Sequence, residues 1–336
     1  MKALVYTQKE MLDYRDAPMP VAAEGEQLIK IMASGICGSD MHAFMGHDER
    51  RPAPLILGHE AAGTVVGGPD HGRRVTVNPL VTCGVCRDCR SGRTNLCTQR
   101  QIISMPPREG AFAEYVTMPA GNLITVPENI PLEHAALAEP VACGWHGVRL
   151  AQAALSGSLK DARCVVIGGG AIGVGAALSL IAFGADNIVV TEPNAVRRER
   201  LNTIGGFEAV GPADLPENTN GSVDLIVDAV GYAATRADAC RLARAGAVIV
   251  HIGLGEGTGG LDIRRMTLQE IQFIGTYTYT AQDFRDTAQA IFDERLGPFN
   301  WIEKRPLSAG QKSFDDIRAG CAAAPKIVLI PEHGNP

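Results

Sequence analysis

Cys164-Val165-Val166-Ile167-Gly168-Gly169-Gly170-Ala171-Ile172-Gly173 is the stretch on which the architecture turns. Its first four residues are wholly apolar, as in a parallel strand buried on both faces. They run into G-x-G-x-x-G, a helix-like segment reaching Phe183, and a second apolar run, Asn187-Ile188-Val189-Val190. Six spaced residues alone say little. Strand, glycine turn, helix and strand in that order, with Glu192 nineteen residues past Gly173, form a dinucleotide-binding signature. Gly168 permits the tight turn, Gly170 lets the backbone approach a pyrophosphate, and Gly173 lets helix and strand pack closely. Ala171 and Ile172 open the helix whose free N–H groups and partial positive charge face the phosphates. Glu192 can accept hydrogen bonds from a ribose hydroxyl and would repel a 2′-phosphate, which favours NAD over NADP. Arg197 and Arg198 keep NADP open, unless both lie on a solvated helix face.

Further α/β units follow: Val223–Asp228, a helix through Arg241, the strand Ala247–Ile252, and a last strand over Ile271–Tyr277. Repeated strand–helix alternation predicts a doubly wound parallel sheet. Ile252, closing its strand, is placed at the cofactor. A helix pattern lies around Asp283–Leu296, and the late strand Lys326–Ile330 is expected to return to an earlier domain.

The chain ahead of this region is different in kind. Residues 1–80 read as short β-rich segments, Gln27–Met32, Gly63–Val66 and Arg73–Val77 among them, with Pro52 and Pro54 punctuating a loop. Then comes Cys83-x2-Cys86-x2-Cys89-x7-Cys97. Four thiolates at this spacing close a tetrahedral zinc site and tie down a lobe. Gly84, Gly92 and Asn95 favour turns over a helix there. Arg87, Arg90 and Arg93 either offset the charge of the thiolates or are simply solvated.

A second cluster opens at Gly35-Ile36-Cys37-Gly38-Ser39-Asp40-Met41-His42, followed seventeen residues after His42 by His59-Glu60. Sulfur, imidazole and carboxylate together suit a divalent metal of borderline softness. Taken alone, Cys37 reads as a small buried hydrophobe, as free cysteines commonly are. Glu139, set among apolar residues before Pro140, is either a buried ligand or a helix-start charge.

Composition bounds the rest. A length of 336 residues favours two domains, and 46% hydrophobic with 20% charged residues is ordinary for a globular enzyme. A net charge of −6 and no long basic run argue against nucleic acid as partner. No apolar stretch approaches a bilayer span, and Met1–Tyr6 reads as a first strand rather than a signal core, so a cytoplasmic location is expected. Five of the nine cysteines fall between positions 37 and 97, which in a reducing compartment points to metal rather than disulfides.

Cys37, Gly58-His59-Glu60, the four-cysteine lobe, Glu139-Pro140 and the later glycine motif occur in the order found in zinc-dependent medium-chain alcohol dehydrogenases, which the chain resembles over nearly its whole length. Glutamate at 139 resembles the sorbitol/polyol and threonine dehydrogenase branch. The resemblance implies an α/β protein: a GroES-like β-rich catalytic domain (1–142 and 284–336), interrupted by a Rossmann NAD-binding domain (143–283), with the active site in the cleft between them. It implies two zinc ions per chain. Cys37 and His59 would ligate the catalytic one, with Glu60 and Glu139 completing the site directly or through water. Cys83, Cys86, Cys89 and Cys97 would hold the structural one. It further implies that Asp40 orients the ligand histidine, that Ser39 takes the substrate proton and that His42 passes it to solvent. Cys143 would pack on the nicotinamide and Lys326 would meet the cofactor phosphates.

The expected activity is hydride transfer from a secondary alcohol or polyol to NAD, giving a ketone. Alternatives are a threonine 3-dehydrogenase-like or phosphorylated-polyol dehydrogenase, and, in another class, a non-catalytic zinc and dinucleotide sensor. Thr278-Tyr279 stands where polyol dehydrogenases often carry Arg-Tyr, which weakens the case for a sugar polyol. Arg50 and Arg51 either meet an anionic substrate or form an exposed loop pair. A small-molecule alcohol is the expected partner, with the chain a homodimer or homotetramer through an apolar strand over 272–280.

Overall fold

A computed structural model describes residues 1–333. The chain divides into two compact units. One comprises Met1–Glu139, Thr280–Asp293 and the residues from Ile302 onward; the other comprises Pro140–Tyr279 and Glu294–Trp301.

The first unit is built on a seven-stranded sheet around the ten-residue strand Glu26–Gly35. Glu60–Val66 pairs antiparallel with it on one side, and Tyr115–Pro119 also pairs antiparallel with it. The late strand Lys326–Ile330 pairs antiparallel with its end, through Val328 opposite Gly35. Hydrophobic alternation drives this arrangement: Ile29 and Ile31 turn inward onto Val65, Val75, Val77 and Met118, all buried. A second core gathers Leu57, Phe112, Phe44 and Phe314, the last two with ring centroids 5.1 Å apart. It seats the short helix Gly38–Phe44, through Ala43 and Phe44, on the sheet.

Register places the chemistry. Gly35 lies directly opposite Glu60 in the ladder. A Cβ on Gly35 would stand 1.9 Å from Glu60 Oε2, so only glycine leaves room for that carboxylate. The cysteine lobe is bracketed by the two-stranded ladder of Leu80–Val81 with Gln101–Ile102. Inside it the expected turns are joined by a one-turn helix, Arg87–Arg90, because Cys86 caps it by accepting the Cys89 N–H. Thr94 Oγ1 accepts the N–H of Ala281 at 2.8 Å, tying the lobe to the helix Ala281–Phe292.

The second unit carries a six-stranded sheet, every neighbouring pair parallel, in the order Glu208–Val210, Asn187–Thr191, Arg163–Ile167, Val223–Asp228, Ala243–His251, Gln272–Gly275. This is the doubly wound dinucleotide-binding order, with its switch point beside Arg163–Ile167. Val165, Val166, Ile226 and Ile249 are buried, as sheet faces covered by helices require. The last strand ends at Gly275, short of the expected Tyr277; Thr278 takes a left-handed φ of 47° and Thr280 caps the next helix.

Candidate active site

Cys37 is the N-cap of the helix Gly38–Phe44. Asp40 Oδ2 accepts the Cys37 N–H at 3.0 Å and Oδ1 accepts the Gly58 N–H at 3.3 Å. That second bond draws the chain before His59 toward the helix. Donor atoms of Cys37, His59 and Glu60 thereby lie within 4.8 Å of one another. Glu139, second residue of the helix Ala138–Ala154 and buried, stands outside that triad. His59 Nδ1 lies 3.4 Å from Asp40 Oδ1 and 3.5 Å from Ser104 Oγ.

Acidic side chains set the electrostatics here. Burial pushes the His59 imidazole down, yet Asp40 and Cys37 outweigh it and hold its pKa well above the usual histidine value. Burial likewise lowers Lys326, and Glu60, Cys37 and Glu139 raise it past that effect. Burial raises Asp40, but His59, Arg51 and the Cys37 amide leave it below the usual carboxylate range. Glu60 Oε1 is held by Lys326 Nζ at 2.6 Å, whereas the buried Glu60 Oε2 has no hydrogen-bond partner among the described residues. A thiol, an imidazole, a carboxylate oxygen left over and a field that favours cations fit a zinc ion.

Ser39 is half-buried and His42 exposed, three residues apart on one helix. Lys326, expected to meet the cofactor phosphates, is engaged at Glu60. It is 3% exposed, and Nζ donates to Glu60 Oε1 and to the carbonyl of Ile36, both at 2.6 Å. Arg50 and Arg51 both turn onto Asp48, and Arg51 is buried rather than facing an open loop. Ser104 carries no sequence signal. It is found only by its place beside His59.

The four cysteines of the lobe converge. The sulfurs of Cys83, Cys86, Cys89 and Cys97 lie within 4.8 Å of one another, with Cys83 and Cys97 3.5 Å apart. Backbone N–H groups of Val85 and Cys86 pull the Cys83 thiol down to about 6, while burial and its neighbours Cys86 and Cys97 push Cys89 up to about 12. One thiolate is stabilised and the next is resisted, which is the condition a dication relieves. Arg87, Arg90 and Arg93 are exposed, and Arg93 pairs with Asp88.

In the second unit Gly168 takes φ 99° and a Cβ on Gly173 would stand 1.7 Å from its carbonyl oxygen. The space before Gly170, the N-cap of the helix Ala171–Ala182, is open. Glu192 is buried, accepts the Gly169 N–H at 3.0 Å and the Asn194 N–H at 2.9 Å, and meets Arg197 Nη1 at 3.4 Å. Arg198 donates to the carbonyls of Glu192 and Pro193. A cavity of about 220 Å³ adjoins the loop, lined by Ile167, Thr191, Pro193, Leu215 and Tyr232. Cys143 and Ile252 are half-buried in the same unit.

Residues 23–128 match the family described as alcohol dehydrogenase GroES-like domain, and residues 171–293 match zinc-binding dehydrogenase. L-galactonate-5-dehydrogenase of Escherichia coli K12 is 31% identical over 309 residues, 88% of each chain. Sorbitol dehydrogenase of Bacillus subtilis 168 is 32% identical over 83% of this chain and 82% of its own. A Sinorhizobium meliloti 1021 chain crystallised with NADP superimposes with a TM-score of 0.87, at 27% identity, over 98% of this chain and 99% of its own. The chain therefore belongs to the zinc-dependent medium-chain alcohol dehydrogenases, in the branch that holds polyol dehydrogenases: it is an NAD-dependent oxidoreductase of CH–OH donors with a GroES-like and a Rossmann fold.

Proposed function

We propose that this enzyme oxidises a secondary hydroxyl of a polyol or sugar acid to a ketone, with Cys37 and His59 ligating the catalytic zinc. The observation that carries the reading is the convergence of Cys37, His59 and Glu60 beside an unpartnered Glu60 oxygen. Its sugar-acid and sorbitol relatives by name support the substrate class. Glu60 or Glu139 completes the ligand set. When bound, zinc supplies the Lewis acid that makes a substrate hydroxyl acidic near neutral pH. NAD supplies the hydride acceptor.

The chain's own residues do the rest. Asp40, fixed by two backbone N–H groups, orients His59. Ser39 Oγ accepts the substrate proton and His42, the more exposed of the two, releases it to water. Gly168, Gly170, Gly173 and the helix from Ala171 and Ile172 seat the pyrophosphate. Glu192 discriminates for NAD, with Arg197 alongside, and Cys143 and Ile252 border the nicotinamide. Cys83, Cys86, Cys89 and Cys97 hold the structural zinc. The edge strand Gln272–Gly275, unpaired on one side among the described residues, offers the seam for a homodimer or homotetramer. Cysteines that form no disulfide among the described residues suit a cytoplasmic location.

Metal analysis with a substrate panel tests the reading. About two zinc per chain, with NADH formed from polyols or sugar acids, is expected. One zinc per chain and no turnover of any alcohol would overturn it.

A further inference from the structure

His59 is flanked on its Nδ1 side by two partners, Asp40 at 3.4 Å and Ser104 at 3.5 Å. Neither contact is tight. The ring's orientation therefore depends on how rigidly each flank is held. Asp40 is anchored by the Cys37 and Gly58 N–H groups. Ser104 has no such frame of its own: it is fully buried and holds a left-handed φ of 71°, a conformation that a non-glycine residue keeps only when its surroundings impose it.

Arg51 supplies that constraint. Its guanidinium is 3% exposed, Nε donates to the Ser104 carbonyl at 3.0 Å, and Nη1 donates to Asp48 Oδ2 at 2.7 Å. Asp48 is itself held by Arg50 through Oδ1 at 2.8 Å and Oδ2 at 3.0 Å. A planar fork holds its carboxylate and carbonyl partners at fixed angles, a geometry that a freely rotating lysine ammonium fixes less firmly. The buried charge is compensated by Asp48, so the clamp is stable without solvent.

We propose that Arg51 and Ser104 are positioning residues for His59: Arg51 locks the strained Ser104 backbone so that its hydroxyl, opposite Asp40, fixes the imidazole and leaves Nε2 for the metal. The inference rests on His59 being a zinc ligand. Outer partners of metal-bound histidines shape affinity as well as activity, so the effect is expected in metal binding.

The test uses the full-length enzyme with cobalt in the catalytic site. It follows the visible absorption, the metal affinity against a chelator, and the thermal midpoint. Ser104→Gly relieves the left-handed strain while removing the hydroxyl. It should leave the midpoint unchanged or higher, yet weaken metal affinity about tenfold and alter the cobalt spectrum. Arg51→Lys should weaken affinity by a similar factor, and the double variant should be no worse than the weaker single one, since both act through one contact. Ser104→Asn, which tolerates the left-handed region and keeps a polar group, should recover part of the loss. If Ser104→Gly and Arg51→Lys keep wild-type affinity and spectrum, or if their effects add in full, the positioning role is wrong. Cys37→Ala is the control: if it retains metal as the wild type does, the ligand assignment itself has failed.

Discussion

Lys326 Nζ lies 2.6 Å from Glu60 Oε1, with the two side chains 3% and 0% exposed, and they are 266 positions apart in the chain. The pair forms because the late strand Lys326–Ile330 and the strand Glu60–Val66 both pair with Glu26–Gly35. A buried pair of this kind is costly to break from one side, since the remaining charge is stranded.

Lys326→Met should therefore lower stability by about 3–5 kcal/mol in denaturant unfolding of the metal-free protein. Adding Glu60→Gln to it should restore a large part. A double variant as unstable as the sum of the singles would show that the two residues are not coupled.

Gly35→Ala probes the room left for the carboxylate. The added methyl would meet Glu60 Oε2 at 1.9 Å, so the side chain must move. A loss of about 1–3 kcal/mol is expected, together with reduced zinc content at the catalytic site. Unchanged stability and metal content would mean that Glu60 is free to shift.

Asp48 sets an acid limit on the Arg51 clamp. Burial raises its carboxyl, but hydrogen bonds and charge from Arg50, with the charge of Arg51, hold it below its ordinary value. A depressed folded-state pKa gives stability that is full above the unfolded value, about pH 4, and lost as pH falls through the folded value. The stability difference between wild type and Asp48→Asn should thus be flat near neutrality and shrink below about pH 4. A difference that grows on acidification would contradict the assignment.

Cofactor choice is open to a ratio measurement. Glu192 accepts the Gly169 and Asn194 N–H groups with Arg197 alongside. Glu192→Ser removes the repulsion of a 2′-phosphate and releases Arg197. The ratio of kcat/KM for NADP to that for NAD should rise by about tenfold or more, equivalent to about 1.4 kcal/mol. A ratio left unchanged would assign selectivity to other residues.

Much of this was legible in the residues themselves. The glycine motif between two apolar runs, and four cysteines within fifteen positions, are local patterns. Their geometry follows from backbone spacing, so the doubly wound sheet and the sulfur cluster are legible in the sequence. The capping of Arg87–Arg90 by Cys86 was less visible, because turn-forming residues there concealed a single helical turn.

Contacts between distant positions were decided by tertiary structure alone. Spacing cannot say that Lys326 would turn inward to Glu60, that Arg51 would fold onto Asp48, or that Ser104 would stand at His59. Sequence determined which local elements form and which residue types can bind a metal or a dinucleotide, since propensity and periodicity act over a few residues. Strand pairing and burial determined which charge meets which, because the energy of a buried ion depends on the neighbours the fold brings within a few ångströms.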